Sequence, residues 1–247
     1  MEAKEIIENS RAWIKLNKKE IIKKIVDNIL PIPNVKPFVI FMAGSPGAGK
    51  TETSKNFIKE LELLYDNILG KKSSSGRVVR LDADEIKEMI PGYRGSNSEM
   101  FQSASSLGME KVYDYIISKN LCAIVDGTLA SYKVATKNIE IAVRKKRNVA
   151  IFYVYQDPIV AWEFTKKREA LDGRHISKSI FIEAFFKAKI NTNKLKKDFG
   201  DKIQIFLIIK NFSNSTEKTE FNIENIDNYL KVKYTKQSLM KKYVKYI

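Results

Sequence analysis

The pattern of apolar positions along the chain predicts a sheet of parallel strands. Five short apolar runs recur, as expected for strands that are buried on both faces. They are Phe38–Met42, Val78–Leu81, Leu121–Val125, Val149–Tyr155 and Ile203–Ile209. The segments between them show helical spacing of apolar residues: Thr51–Tyr65, Ser98–Ser118, Leu129–Arg147 and Pro158–Ile190. This alternation predicts an α/β fold with helices on both faces of a parallel sheet.

Helical patterns also flank this alternation at both ends of the chain. Residues 3–29 carry isoleucines at helical spacing, and three prolines between positions 31 and 37 predict a linker after them. Helical patterns recur near residues 224–231 and 235–246. The expected parts are an N-terminal helix and linker (1–33), the α/β core (34–210) and a C-terminal helical appendage (211–247).

The composition is that of one α/β domain with extensions. The chain has 247 residues, of which 44% are apolar, enough for a hydrophobic core. The single cysteine, Cys122, excludes an intramolecular disulfide and a cysteine-based zinc site, and its apolar run predicts a core position. No apolar run approaches the ~20 residues that span a bilayer. The charged N-terminus is unlike a secretory signal, so we expect a cytoplasmic protein without a membrane span.

The formal net charge of +15 leaves several anionic partners open. Nucleic acid, an anionic membrane surface and a small anionic ligand would each attract a basic protein, and the alternative is that the lysines only solvate the surface. The chain lacks the interleaved basic and aromatic residues that are typical of single-strand binding. Nucleic acid is therefore the less favoured partner.

One short stretch predicts a phosphate-binding loop. Gly44-x4-Gly49-Lys50-Thr51 follows the first apolar run and opens the first core helix. Glycines let successive backbone N–H groups point at phosphate oxygens, and the helix start adds a partial positive charge. We expect Lys50 to reach the β- and γ-phosphates and the Thr51 hydroxyl to hold Mg²⁺. The predicted nucleotide-binding residues are Gly44, Ser45, Pro46, Gly47, Ala48, Gly49, Lys50 and Thr51.

The expected nucleotide is ATP. The Asn-Lys-x-Asp motif that reads guanine in switch proteins is missing from any plausible place in the chain. The alternative for the loop itself is a flexible turn without a ligand.

Acidic residues end the second and third apolar runs. Ligands of parallel α/β sheets bind beyond the carboxyl ends of the strands, so these residues would face the phosphates. Asp82 is expected to accept the proton of an attacking hydroxyl or to hold Mg²⁺, and Asp126 to hold Mg²⁺ or to bind the substrate. Asp84 either binds the substrate or caps the next helix, and capping is also the alternative for Asp126.

Two arginines flank a turn that Gly173 predicts at a helix end. Arg168 and Arg174 would fold over the phosphates, where planar guanidinium groups stabilise the charge on a transferring phosphoryl group. The alternative is that both are ordinary surface residues.

Taken in order, these motifs resemble the zeta toxin family of P-loop kinases. The resemblance covers roughly residues 36–210 and rests on Gly44–Thr51, Leu81–Asp84, Val125–Thr128, Asp157–Pro158 and the two arginines. It implies a P-loop kinase-like fold that transfers phosphate from ATP or GTP, with Mg²⁺, to the 3′-hydroxyl of UDP-N-acetylglucosamine. The product would poison cell-wall synthesis, and a separate antitoxin protein would block the nucleotide site.

The same resemblance implies roles for individual residues. Lys50 and the two arginines would stabilise the transferred phosphoryl group, and Asp82 would be the general base. Asp126 and Thr128 would lie beside the substrate.

Two departures from the family pattern concern the acceptor. Asp126 stands where the better-known toxins have Glu, and the two arginines lie six residues apart, closer than in those toxins. The stretch Pro91–Asn97 either shapes the acceptor pocket, through Tyr93 and Asn97, or is a loop without contacts.

Two other functions stay open at this point. A polynucleotide 5′-hydroxyl kinase would explain the charge of +15. A regulatory nucleotide-binding module without phosphoryl transfer would need no base at Asp82.

Overall fold

Six strands form one sheet in the described part of this computed structural model, which comprises residues 3–32, 36–70, 76–230 and 232–244. The strands are Phe38–Ala43 (β1), Val78–Asp82 (β2), Cys122–Asp126 (β3), Asn148–Tyr155 (β4), Gln204–Lys210 (β5) and Thr216–Glu220 (β6). They lie in the order β2-β3-β1-β4-β5-β6. Only β6 is antiparallel to its neighbour. The predicted parallel sheet is confirmed, because β1 to β5 coincide with the five apolar runs.

The register of the strands brings acidic residues to one edge of the sheet. β2 pairs with β3 so that Asp82 lies opposite Asp126 at the carboxyl ends of both strands. β3 in turn pairs with β1, which ends at Ala43 directly before the glycine loop. Cys122 begins β3 inside the sheet and is 1% exposed, which confirms its predicted core position.

Helices connect and flank the strands. In the described residues they are Ala3–Leu16 (α1), Lys18–Val26 (α2), Lys50–Leu69 (α3), Ala83–Met89 (α4), Ser98–Ser118 (α5), Tyr132–Arg144 (α6), Pro158–Asp172 (α7), Lys178–Phe199 (α8) and Lys236–Val244 (α9). Short 3₁₀ turns occur at Gly200–Lys202 and Ile226–Asn228. None of the described helices is both long and apolar enough to cross a membrane.

Both faces of the sheet are covered, as predicted. β1 shows why, since its side chains alternate between two apolar clusters. Val39, Phe41 and Ala43 belong to the larger cluster, which includes residues of α1, α2, α5, α6 and α8. Ile40 and Met42 belong to the other, against which α3 packs. A strand that is buried on both sides in this way requires the continuous apolar run that its sequence has.

The predicted single helix over residues 3–29 is instead two helices, α1 and α2. They separate at Asn17, whose side-chain Nδ2 and backbone N–H both donate to the Trp13 carbonyl at 2.9 Å. An asparagine that competes for backbone carbonyls in this way disfavours a helix interior. Ile14 and Ile21 are buried in the main core, so both helices pack on the sheet domain. Residues 33–35 of the predicted linker region lie outside the described residues.

The predicted helix over Pro158–Ile190 is also two helices. α7 ends at Gly173, where φ is +73°, and Ser177 caps α8 by accepting a hydrogen bond from the Ile180 N–H at 3.4 Å. The prediction that Gly173 ends a helix is therefore confirmed.

The prediction that the C-terminal segment is helical is only partly right. Thr216–Glu220 forms β6 and extends the sheet, and only a 3₁₀ turn lies within the predicted helix at 224–231. The second predicted helix is present as α9, which buries Leu239 against an apolar cluster of α7 and α8. Residues 231 and 245–247 lie outside the described residues.

Candidate functional site

The glycine loop between β1 and α3 curls in a way that only glycine permits. Gly44 and Gly47 have φ of +137° and +72°, where a side chain is strained. A Cβ on Gly44 would lie 2.3 Å from the Val154 carbonyl oxygen, and one on Gly47 would lie 2.0 Å from that of Ala161. The loop is therefore held tightly between β4 and α7, and it delivers the chain directly into the start of α3.

The start of α3 completes an anion-binding geometry. The helix begins at Lys50 with Gly49 as its N-cap, and no side chain caps it. N–H groups at a helix start attract anions, because they lack partners within the helix and lie at the positive end of its dipole. The loop also meets the end of β3, since the Gly44 N–H donates to the Thr128 carbonyl at 3.4 Å.

Lys50 is buried beneath this loop. Its Nζ donates to the Ser45 carbonyl at 2.6 Å, and the residue is 9% exposed. Burial lowers the pKa of Lys50 to about 8, with Asp126 acting in the opposite direction. The charges of Arg168, Asp82 and Asp84 also act on this pKa.

Asp82 is fixed at the junction of β2 and α4. It caps α4, because its Oδ1 accepts a hydrogen bond from the Asp84 N–H at 2.9 Å. Burial and the neighbouring Asp126 carboxylate raise the pKa of Asp82, whereas its ion pair with Arg80 lowers it. Capping by Asp84, the alternative for this residue, is wrong, since α4 begins at Ala83 and its N-cap is Asp82.

Asp126 lies at the end of β3 and is 4% exposed. Its Oδ2 accepts a hydrogen bond from Arg80 at 3.0 Å and lies 3.1 Å from the Ser54 hydroxyl. It does not cap α6, whose N-cap is Ser131, so the alternative of helix capping is wrong here too.

The two arginines converge, but they converge on Asp84. Arg168 and Arg174 each donate to Asp84 Oδ2, at 2.9 and 2.8 Å. Burial alone would raise the pKa of Asp84, but Lys87 and the two arginines together hold that pKa below its ordinary value. Arg174 also pairs with Asp172, the last residue of α7, at 3.1 Å. Because Arg174 pairs with Asp84 as well, it joins the end of α7 to the start of α4.

The Pro91–Asn97 stretch forms a structured turn beside Arg174. The side chain of Asn97 bonds within this turn, to the Arg94 N–H at 3.0 Å and the Gly92 carbonyl at 2.9 Å. The ring of Tyr93 packs on that of Phe101. The alternative of a loop without contacts is therefore wrong. A role in binding substrate stays a prediction for Tyr93 and Asn97.

A cavity of about 310 Å³ opens at this turn. It is lined by Glu88, Tyr93, Arg94, Gly95, Asp172 and Arg174. A larger cavity of about 570 Å³ lies at the other edge of the sheet, where Asn148 and Gln204 begin β4 and β5. The larger cavity volume therefore does not identify the site. The site is identified by the charged side chains that come together beside the glycine loop.

Three further residues of the site escaped the sequence analysis: Ser54, Arg80 and Lys87. Arg80 links Asp82 and Asp126, and Lys87 is 5% exposed and lies 3.6 Å from Asp84. The available signal for Arg80 was a charged residue inside an otherwise apolar strand. The contacts of Ser54 and Lys87 depend on how α3 and α4 pack, which periodicity does not reveal.

The donor atoms at the end of β3 and the start of α3 suit a hard cation. Mg²⁺ prefers oxygen ligands and is commonly bound by one or two protein groups together with substrate phosphates. Thr51 in the first turn of α3 and Asp126 supply a hydroxyl and a carboxylate. No cluster of three or more acidic, histidine or cysteine side chains that could hold a metal occurs in the described part of the chain. The residues thus fit a metal ion that arrives with a nucleotide.

The sequence matches the model of one protein family. The model of the zeta toxin matches residues 26–224, most of the chain and all of the loops described above. The chain belongs to the zeta toxin family. This membership supports a toxin kinase, and it confirms the resemblance seen in the motifs.

Solved structures share the fold of this zeta toxin family member. A structure of the PezAT chromosomal toxin–antitoxin system of Streptococcus pneumoniae matches with a TM-score of 0.66 at 15% identity, over 94% of this chain and 93% of that one. The AvrRxo1-ORF1:-ORF2 complex matches with a TM-score of 0.59 at 14% identity, over 92% of this chain and 70% of that one. No curated protein sequence matches significantly.

Proposed function

We propose that this protein is a toxin kinase that transfers the γ-phosphate of ATP to a hydroxyl of a nucleotide-linked small molecule. The proposed acceptor is UDP-N-acetylglucosamine or a similar UDP-sugar. One observation carries the proposal: Asp82 and Asp126 lie side by side at the carboxyl ends of β2 and β3, and Asp126 contacts Ser54 of α3, the helix that the glycine loop opens. This combination supports phosphoryl transfer, which depends on positioning and on stabilising negative charge.

Nucleotide binding is proposed for the glycine loop and the start of α3. Backbone N–H groups of residues 47–51 would bind the phosphates, and Lys50 would exchange the Ser45 carbonyl for a phosphate oxygen. Thr51 and Asp126 would hold Mg²⁺, which when bound neutralises charge on the β- and γ-phosphates. A structure of the AvrRxo1-ORF1:AvrRxo1-ORF2 complex with ATP shares the fold, which supports ATP as the nucleotide.

Asp82 is proposed as the general base. Its carboxylate is oriented by the Asp84 N–H and by Arg80, so it cannot rotate freely. Burial and Asp126 raise its pKa, which makes it a better proton acceptor than an exposed aspartate. The acceptor hydroxyl would transfer its proton to Asp82 as its oxygen bonds to the γ-phosphorus, and ADP would leave.

Arg168 and Arg174 are proposed to stabilise the transferring phosphoryl group. Both pair with Asp84, and both are partly exposed, so they can exchange this carboxylate for phosphate oxygens. Asp84 would then be free to bind the acceptor, together with Thr128 and the cavity beside Tyr93.

The proposed partner is a separate antitoxin protein. Its support is the fold shared with the PezAT toxin–antitoxin system. An antitoxin would have to cover the glycine loop or the cavity beside Arg174 to block the reaction.

Labelled ATP and a panel of UDP-sugars and dinucleotides test the transfer. We expect one UDP-sugar to receive the label, and Asp82→Asn to lower kcat by about 10²- to 10⁴-fold. Asp66→Asn is the matched control, because Asp66 also pairs with an arginine, Arg77. Arg77 lies directly before β2, at the opposite end of this strand from Asp82. If no acceptor is labelled and Asp82→Asn leaves any ATP turnover unchanged, the proposal fails.

Mass spectrometry of metabolites from cells with and without the expressed protein identifies the acceptor. We expect one nucleotide-sugar pool to gain a phosphate, and cells with Lys50→Ala to show neither this change nor growth arrest. Growth arrest that persists in Lys50→Ala would contradict a toxic kinase.

A further inference from the structure

Arg80 lies between the two carboxylates that end β2 and β3. Its guanidinium forms ion pairs with Asp82 and Glu85, and a third with Asp126 Oδ2 at 3.0 Å. Its Nε lies 3.2 Å from Ser54 Oγ, which is itself 3.1 Å from Asp126 Oδ2. The Arg80 side chain is 11% exposed, so water competes little with these contacts.

The pairing of β2 with β3 makes a cation necessary at this place. The register sets Asp82 opposite Asp126, and two carboxylates that are close together and shielded from water repel each other. Arg80 supplies the cation from within the chain. It lies two residues before Asp82 in β2 and therefore on the same face of the strand.

A Mg²⁺ ion at the glycine loop would use the same carboxylate. Thr51 and Ser54 lie about one turn apart on α3, so the contact of Ser54 with Asp126 brings this carboxylate beneath the first turn of the helix. A metal ion and a guanidinium both need the negative charge of Asp126. Binding of one therefore weakens binding of the other.

We propose that Arg80 is a built-in competitor of Mg²⁺ at Asp126, and that it sets the Mg²⁺ concentration at which the nucleotide binds. The inference rests on the proposed function, because it concerns the same nucleotide site. Without Mg²⁺, Arg80 would neutralise Asp126 through their ion pair. When Mg²⁺ and ATP bind, the guanidinium gives up Asp126 and keeps its ion pairs with Asp82 and Glu85. Arg80 is thus a positioning residue for Asp82 in both states.

ATP binding measured by titration calorimetry over a series of Mg²⁺ concentrations tests the inference without any turnover. Arg80→Gln removes the competing charge, and we expect the Mg²⁺ concentration for half-maximal ATP binding to fall about tenfold. Arg80→Lys keeps a charge, but an ammonium group cannot bridge two carboxylates as a guanidinium does. Its midpoint should lie between those of Arg80→Gln and the wild type.

Arg77→Gln is the matched control. Arg77 lies directly before β2, is 5% exposed and pairs with two carboxylates, Glu62 at 3.0 Å and Asp66 at 2.7 Å. Both substitutions should lower the thermal unfolding midpoint, since each leaves buried carboxylates without their partner. Only Arg80→Gln should move the Mg²⁺ midpoint for ATP binding.

The outcomes separate this inference from the proposed function. A Mg²⁺ midpoint that is unchanged or raised in Arg80→Gln, with normal ATP binding by the wild type, overturns the inference alone. If Arg80→Gln does not fold, a wild-type or higher midpoint in Arg80→Lys overturns it. A wild type that binds no ATP at any Mg²⁺ concentration overturns the proposed function, and the inference with it.

Discussion

Two residues of the candidate site, Gly47 and Asp84, are held by contacts within the protein. Gly47 lies against the backbone of α7, and the Asp84 carboxylate holds two arginines in place. Both positions can therefore be probed by stability alone, without knowledge of the substrate.

Gly47→Ala should lower the free energy of unfolding by about 2–4 kcal/mol. The new Cβ would lie 2.0 Å from the Ala161 carbonyl oxygen, at a φ that alanine rarely adopts. Gly127→Ala is the control, since no atom lies within 4 Å of the Cβ it would add, and its effect should stay within about 0.5 kcal/mol. Urea denaturation measures both, and equal effects of the two substitutions would contradict the close packing of the loop.

Asp84→Asn should reduce stability at pH 7 and have no effect in acid. Lys87, Arg168 and Arg174 hold the pKa of Asp84 below its ordinary value, so the folded protein binds the carboxylate's proton less readily than the unfolded chain. Its stabilising contribution is complete above the unfolded pKa of about 4 and is lost as the pH falls through the folded value.

The expected difference at pH 7 is about 1 kcal/mol, because the two arginines are partly exposed and water screens their charges. Urea denaturation of wild type and Asp84→Asn between pH 7 and pH 3 measures it. A difference that stays constant over this range would show that Asp84 contributes through its shape and not through its charge.

At the scale of elements, the carboxyl ends of β2 and β3 combine structure with chemistry. Asp82 is the last residue of β2, the N-cap of α4 and the proposed base. These roles can be separated, because asparagine caps a helix about as well as aspartate but cannot accept a proton at neutral pH.

Asp82→Asn should therefore slow phosphoryl transfer and keep the cap of α4, whereas Asp82→Ala should slow transfer and also remove the cap. We expect Asp82→Ala to be less stable than Asp82→Asn by about 1 kcal/mol, the usual contribution of a helix cap. Thermal or urea unfolding of the two variants gives the comparison. If the two are equally stable, the hydrogen bond from the Asp84 N–H contributes nothing to α4.

Elements differed in how far the sequence could predict them. β1 to β5 were predictable because strands buried on both faces need continuous apolar runs. β6 was not, since Thr216–Glu220 is a polar strand that lies beside β5 at the edge of the sheet. The glycine loop was predictable because its motif is local. The role of Arg80 was not, because it depends on the pairing of β2 with β3.

At the scale of the whole molecule, the N-terminal helices are part of the domain that carries the site. Ile14 of α1 is fully buried, and a Cβ on Gly108 of α5 would lie 3.3 Å from it. The same Cβ would lie 2.8 Å from Ile86 of α4, the helix that Asp82 caps. Packing thus connects residues near the start of the chain to the proposed base.

Ile14→Ala should lower the free energy of unfolding by about 2–5 kcal/mol, since it opens a cavity among α1, α4 and α5. Leu16→Ala, two residues later and 84% exposed, should change it by less than about 0.5 kcal/mol. Guanidinium denaturation of the pair gives the measurement. Similar small effects from both substitutions would mean that α1 contributes little to the fold.

Cys122 can report how often the sheet opens, because its thiol is buried in the folded protein. It is the one thiol in the chain, it begins an inner strand of the sheet, and burial raises its pKa. A maleimide or iodoacetamide should therefore label the native protein only when the sheet separates. The alkylation rate, followed by intact mass, would read how often that happens, and a bound nucleotide should slow it.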